Sequence, residues 1–252
     1  HIMRGSRGLS GNDIRLGVHI PESSKPDPIV PKRLIEGVSE RVDCFGKVIV
    51  KLNEEEAEIA IRRLLEKDVE AIAVCFLWSF LAPQHEARVK EMIGDIAPNM
   101  FVTTSYELVP KWGEYERTAA VALNAYIGPL TTGYLAGVAS DVKELGYHQP
   151  LQITQCAGGT ISVARAMAAP LLTLDSGPVA GVTGSQYAGA LMGYDNIITT
   201  DMGGTSFDVG VIHEGKPAFS YTSLVHQYAY YLSKVDIQTI GAGGGSKAWI
   251  DE

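Results

Sequence analysis

Hydrophobic positions along the chain change their period from segment to segment. Asn53-Glu54-Glu55-Glu56 reads as a capping box, with the Asn53 side chain accepting a backbone N–H and Glu56 reaching back. Ile61, Leu64 and Leu65 then recur at helical spacing, which predicts a helix to about Lys67. VEAIAVCFLW follows as an apolar run of strand length with no polar alternation, the pattern of a parallel strand covered on both faces. A helix over 84–96 comes next, then a second strand at MFVTTSYEL, then a long helical stretch over 114–145. On that stretch Leu123, Tyr126, Ile127, Leu130, Tyr134 and Val138 recur on one face. Gly128-Pro129 predicts a kink or short break in it, because Pro129 removes one donor and crowds the preceding turn. Upstream, SKPDPIVP reads as an extended connector, and SERVDCF and KVIVKL as two strands turned near Gly46. Alternating strands and helices point to an α/β architecture.

From Gln155 onward the texture changes. Four glycine-containing turns, CAGGTIS, DSGPVAG, DMGGTSFDVG and IGAGGGS, each follow a run that reads as a strand: LQIT, LLTL, NIITT and VDIQTI. Glycine at a strand end lets the backbone turn with positive φ or approach a ligand closely. Four such turns invite a phosphate-binding reading.

Composition narrows the field. The chain has 252 residues and a formal net charge of −8, long enough for one large or two small domains and too acidic for a nucleic-acid surface. No apolar run approaches the roughly 18 residues of a membrane span, and the start lacks the apolar middle of a secretory signal. His1 to Met3 resemble a cloning scar, so residues 1–29 read as scar plus connector. Cys44, Cys75 and Cys156 are scattered without a CxxC pair, so neither a zinc site nor a disulfide framework is indicated. A cytoplasmic protein that binds neither nucleic acid nor membrane is the expectation.

IITTDMGGTSFDVGVI carries the most chemistry. A strand at 197–200 ends in Asp201, a turn Gly203-Gly204-Thr205-Ser206 follows, and a second strand, Phe207 to Ile212, returns. Glycines at the tip free backbone N–H groups to face phosphate oxygens, and the Thr205 and Ser206 hydroxyls add donors. Asp201 can hold a hydrated Mg²⁺ or orient an attacking water; Asp208 is the weaker candidate. An ordinary glycine-turn hairpin accounts for the two glycines but poorly for Asp201 and the paired hydroxyls.

DMGGTSFDVG resembles the second phosphate loop of the actin, hexokinase and Hsp70 nucleotide-binding superfamily. Within it the chain is similar to the hydantoinase A / 5-oxoprolinase family, which includes ATP-dependent ketone carboxylase subunits. VPKRLIEGVSERVD, VEAIAVCFLWSFLAPQHE, EYERTAAVALNAYIGP, LDSGPVAGVTGS and IGAGGGSKAW match that family's blocks in order, over about residues 30–252. The resemblance implies a ribonuclease H-like lobe pair, incomplete at both ends: 30–193 as the remainder of the first lobe with an inserted α/β segment, and 194–252 as the start of the second. The family's first phosphate loop, DxGGTxTD, has no counterpart before Asp201. An isolated chain with one loop of two is therefore expected to bind ATP poorly and to be inactive.

For the parent protein the resemblance implies ATP and Mg²⁺ (or Mn²⁺), and activation of a carbonyl or amide oxygen by phosphorylation. The leading expectation is hydrolysis of a cyclic amide; ketone carboxylation is the alternative, and a non-catalytic nucleotide-binding assembly module a third. The implied partners are a hydantoinase B-type subunit or the rest of the parent chain. Asp201 and Thr205 are the candidate catalytic residues, with Asp201 also the metal ligand; Gly203, Gly204, Ser206 and Asp208 complete the hairpin surface. Gly177 and Gly181 of DSGPVAG join as candidates through a helix N-terminus, with a plain strand-to-helix turn as the equal alternative. Gly241, Gly243 and Gly244 join through the glycine loop, whose Gly241-x-Gly243-x-x-Ser246 spacing departs from a dinucleotide fingerprint. Lys247 is either a charge on that loop or a solvated lysine.

The remaining chemistry-bearing residues read as packing or surface. His85-Glu86 is not HExxH, and His213 and His226 lack a ligand-spaced partner. Cys156 reads either as a nucleophile, for which no activating histidine is identifiable, or as a buried free cysteine. Glu114, Glu116 and Arg117 form either a cleft-facing cluster or a helix-start charge pair. Tyr228, Tyr230 and Tyr231 are packing residues or an aromatic wall.

Overall fold

A computed structural model describes residues 27–225, 228–247 and 249–250. The expected scar, most of the connector, and His226 lie outside them. The chain divides into two compact units: 27–144 with Met167–Leu171 and Thr222–Leu232, and Leu145–Ala166, Leu172–Tyr221 and 233–250.

In the first unit, β1 (Arg41–Val42) and β2 (Val48–Val50) pair antiparallel about Gly46, whose φ is 81°. Asp43 Oδ1 accepts from the N–H groups of Phe45 and Lys47, closing the turn as the sequence suggests. Helix α1 (Glu54–Leu65) starts at Asn53, whose side chain accepts from the Glu56 N–H at 3.2 Å. Only half of the capping box forms. Glu56 takes the Ser39 N–H instead, because the Asn53 N–H is already donated to the Ser39 carbonyl.

Strand β3 (Ala71–Val74), helix α2 (Gln84–Ile96) and strand β4 (Phe101–Thr104) form a parallel crossover. Ala57 and Ile61 of α1, Ile72 and Val74 of β3, and Val89, Met92 and Ile93 of α2 make the core. The other face of β3 is not sealed as expected: Ala73 is exposed, and Ala71 and Ala73 line an apolar cavity of about 540 Å³. From the following long helix Tyr115, Thr118, Ala119, Ala122 and Ala125 line the same cavity. MFVTTSYEL is strand only to Thr104; a helical turn, α3 (Ser105–Leu108), follows.

Helix α4 (Glu114–Glu144) runs unbroken through Pro129. Gly128 packs directly against β4, where an added Cβ would run into the Phe101 ring. The inward face is not the one the aromatic stripe suggests. Tyr126, Leu130 and Tyr134 are 83%, 82% and 69% exposed, while Arg117, Ala120, Val121 and Asn124 are buried. The reason is fit: α4 lies close to the sheet, so small residues go in and two polar side chains find backbone partners. Asn124 donates to Thr103 Oγ1 and accepts from the Leu171 N–H.

In the second unit, β5 (Gln152–Thr154) and β6 (Thr160–Ser162) form a hairpin. The LLTL run is not a strand: Pro170–Thr173 is a 3-10 turn, its Leu172 carbonyl accepting from the Cys156 N–H. Helix α5 (Val163–Ala168) precedes that turn and helix α6 (Ser176–Met192) follows it. Strands β7 (Ile197–Met202) and β8 (Phe207–His213) pair antiparallel, flanked by β9 (Lys216–Pro217) and β12 (Ile237–Ile240). Strands β10 (Phe219–Val225) and β11 (Tyr228–Val235) pair with each other, their residues divided between the units. Val179 and Val182 of α6 pack on Ile212 and Val235, with Ile197 and Ile237 at the margin.

Candidate functional site

The β7–β8 hairpin brings Asp201 and Asp208 directly opposite one another, and Thr239 of β12 opposite Asp208. Paired positions in a sheet share a face, so two carboxylates and a hydroxyl lie in one row across three strands. Their roles divide. Asp208 is occupied: Oδ1 accepts from the Thr239 hydroxyl at 2.5 Å and Oδ2 from the Ser206 hydroxyl at 3.2 Å. Asp201 is exposed and has no hydrogen-bonding or ionic partner among the described residues.

The turn between them is polar backbone presented to solvent. The Gly203 N–H is consumed by the Ser206 carbonyl at 3.0 Å. Among the described residues nothing accepts from the N–H groups of Gly204, Thr205 or Ser206. Three successive backbone donors on the turn are thus left without an acceptor among the described residues. Thr205 is exposed, so its hydroxyl is available; the Ser206 hydroxyl is engaged with Asp208.

The glycine loop after β12 backs this turn. The Gly244 N–H donates to the Gly203 carbonyl at 3.0 Å, and an added Cβ at Gly243 would lie 2.2 Å from the Gly204 carbonyl oxygen. Gly243 is buried against that peptide, whereas Gly241 is exposed with open space around it. Lys247 is exposed.

Helix α6 runs against the same hairpin. Gln186 Nε2 donates to the Gly215 carbonyl beyond β8, and Val182 meets Gly210 in its middle. Continuing back from Val182 to Ser176 covers about 9 Å of helix, and Gly210 to Phe207 about 10 Å of strand. The helix N-terminus therefore lies at the turn end of the hairpin. Gly177 and Gly181 sit on the outer face of α6 with nothing within 4 Å of a built Cβ. The left-handed residue at the helix start is Asp175 (φ 55°), held by Lys234 at 2.6 Å. Gly177 is thus not needed for the turn geometry.

Three residues outside the hairpin have resolved roles. Cys156 is buried, its thiol donates to the Ser233 carbonyl at 3.6 Å, and burial pushes its pKa up to about 11. A thiol so placed is a poor nucleophile at neutral pH. Arg117 is a core residue, donating to the carbonyls of Phe76 and Lys111 and lying 5.3 Å from the Phe80 ring centroid. Glu86, considered in the sequence only as part of His85-Glu86, is fully buried and accepts from the N–H groups of Phe76, Ser105 and Tyr106 and from the Ser105 hydroxyl. No signal in the sequence marks it apart from its place on the inward face of a helix. Among the remaining tyrosines, Tyr230 is buried.

With this geometry in place, comparison with known proteins decides the family. The hydantoinase/oxoprolinase pattern matches residues 117–252, and its N-terminal-region pattern matches 11–97. The chain belongs to the hydantoinase/oxoprolinase family. It is 32% identical to the acetophenone carboxylase gamma subunit of Aromatoleum aromaticum, covering 99% of this chain and 35% of that one. It is 33% identical to the caprolactamase subunit alpha of Pseudomonas jessenii, over 89% of this chain and 32% of that one. The nucleotide-free structure of an acetone carboxylase superposes with a TM-score of 0.83 at 30% identity, covering 96% of this chain and 35% of its own. The fold is accordingly the family's α/β, actin-like ATPase fold. The chain spans about a third of the length of these relatives. Among the described residues no helix is long and apolar enough to cross a membrane, and no cluster of three or more His, Cys, Asp or Glu could hold a metal ion.

Proposed function

We propose that this chain forms the phosphate-holding part of an ATP-dependent enzyme that activates a carbonyl or amide oxygen by phosphorylation, the leading case being hydrolysis of a cyclic amide. The observation that supports this most is the braced turn at Gly203–Ser206, with three free N–H groups beside an unpartnered Asp201. Charge on a transferring phosphoryl group is stabilised by fixed backbone donors and a cation, and a cradle already in place needs little reorganisation.

Asp201 fits a hydrated Mg²⁺, which binds through one or two carboxylates and substrate phosphates and keeps several waters. That ion would neutralise phosphate charge, with Asp201 as its protein ligand. Thr205 adds a hydroxyl to the cradle, and Asp208 fixes Ser206 and Thr239 rather than binding metal. The N-terminus of α6 adds its dipole from the same end of the hairpin.

Ketone carboxylation is the second reading, supported by the carboxylase relatives and the TM-score of 0.83 to an acetone carboxylase. Relatives named as gamma and alpha subunits support a partner subunit, for which a hydantoinase B-type chain is the candidate.

Calorimetric titration of Mg·ATP into this chain tests the nucleotide assignment. Weak binding that is lost in Asp201→Ala is the expected result; binding indifferent to the substitution would remove Asp201 from the site. Assaying the parent enzyme for ADP release with cyclic amides, and with ketones with and without bicarbonate, separates the two reactions.

A further inference from the structure

We infer that the glycine loop after β12 is a positioning element for the phosphate turn, with Gly243, Gly244 and Ser246 acting through Gly203 and Gly204 rather than on the phosphate itself. The inference rests on the reading of Gly203–Ser206 as a phosphate cradle and assigns the loop a task within it.

One peptide plane sets the direction of the first donor. The Gly203 carbonyl and the Gly204 N–H belong to the same planar unit, and no peptide bond among the described residues is cis. In a trans peptide the C=O and N–H point in opposite directions. The Gly244 N–H holds the Gly203 carbonyl at 3.0 Å from the loop side. The Gly204 N–H is therefore turned away from the loop, on the open side of the turn, where it has no acceptor among the described residues. A tip of two glycines would otherwise rotate freely at this plane, since neither residue has a Cβ to restrict it.

The next plane is fixed by contact. The built Cβ of Gly243 lies 2.2 Å from the Gly204 oxygen, 2.4 Å from its carbonyl carbon and 2.7 Å from the Thr205 nitrogen. The whole Gly204–Thr205 peptide thus rests on the Gly243 α-carbon, a seat that only glycine provides. The neighbours are backbone, so they cannot yield as a flexible side chain would.

Ser246 keeps the loop in shape. Its Oγ accepts from the Gly243 N–H at 3.0 Å, and its own N–H donates to the Gly243 carbonyl at 2.8 Å. Both polar groups of Gly243 are thereby occupied by one residue. Ser246 is exposed, and among the described residues its hydrogen bonds run to Gly243 rather than to the phosphate turn.

The test is Mg·ATP titration of the full chain followed by ¹⁵N–¹H spectra, on the wild type and on Gly243→Ala, Ser246→Ala and Ser246→Thr, each checked for an unchanged thermal midpoint. Wild-type binding should shift the Gly204 and Thr205 amides. Gly243→Ala and Ser246→Ala should each weaken binding by about tenfold, the worth of one charge-assisted hydrogen bond, and reduce the Gly204 amide shift. Ser246→Thr keeps the hydroxyl and should bind as the wild type does. Wild-type binding with a Gly204 shift that both disabling variants leave unchanged would overturn the positioning role while the cradle stands. Absence of any Gly204 or Thr205 shift in the wild type would overturn the cradle and the inference with it. If Gly243→Ala lowers the thermal midpoint, Ser246→Ala with its threonine rescue decides the matter alone.

Discussion

In the first unit, the backbone turned out of regular structure is held by buried side chains. Glu86 takes three N–H groups from the segments after β3 and β4, and Arg117 takes the Phe76 and Lys111 carbonyls. In the second unit the corresponding task falls to other backbone. Gly244 holds Gly203, Gly243 seats Gly204, and an added Cβ at Gly210 would lie 2.5 Å from Val182 of α6. A charged side chain can reach across a core, but it fills the volume it crosses and must itself be satisfied. Glycine contacts satisfy nothing at a distance, yet they leave the donors of a turn bare and open. The first arrangement suits a scaffold, the second a surface of the kind proposed to receive phosphate oxygens.

Removing a side-chain brace should have the largest effect. Glu86→Ala orphans three backbone N–H groups, each costing about 1–3 kcal/mol, so the first unit should lose more than about 3 kcal/mol in urea unfolding. A loss under about 1 kcal/mol would mean that the segments after β3 and β4 hold themselves. In the second unit, Gly210→Ala should cost about 1–3 kcal/mol, because its Cβ would press on Val182 and on Thr199 Oγ1 at 2.7 Å. Unchanged denaturant midpoints would show that α6 and β8 yield, and that the glycine contact is loose.

Cys156 sharpens the comparison through pH. Its pKa is raised from 9.0 to about 11 by burial, so the folded chain retains a proton that the unfolded chain loses. The resulting stability is full below about pH 9 and declines as pH rises toward 11. Denaturant midpoints across that window should fall less in Cys156→Ala than in the wild type. At the small end, Leu130→Ser on the exposed face of α4 should change stability by less than about 0.5 kcal/mol. A larger loss measured on the chain alone would show that the exposed stripe contributes to the fold.

What the sequence made legible follows the same division. The Asn53 cap, α2 over 84–96 and the β7–turn–β8 hairpin are local, so cap chemistry, period and glycine placement declare them. The inward face of α4 is not local. Arg117 and Asn124 enter the core because Phe76, Thr103 and Leu171 meet them there, while Tyr126 and Leu130 remain outside. A stripe of large apolar residues shows that a face wants cover, not which face the sheet supplies. Pro170–Thr173 is likewise a 3-10 turn, its Leu172 carbonyl accepting from the Cys156 N–H, a contact no strand propensity reveals. At the site, the motif named Asp201, Thr205 and Asp208 as candidates, but the row across the sheet and the division of labour between the two aspartates needed Thr239 of β12.

The central claim is that the backbone of one turn in the second unit receives phosphate. Amide-resolved titration with inorganic tripolyphosphate and Mg²⁺ tests it without the nucleoside. The account predicts shifts concentrated at Gly204, Thr205 and Ser206, with smaller ones at Gly243 and Gly244 and none in the first unit. Shifts centred elsewhere, or equal in Asp201→Ala and the wild type without reaching Gly204, would contradict it.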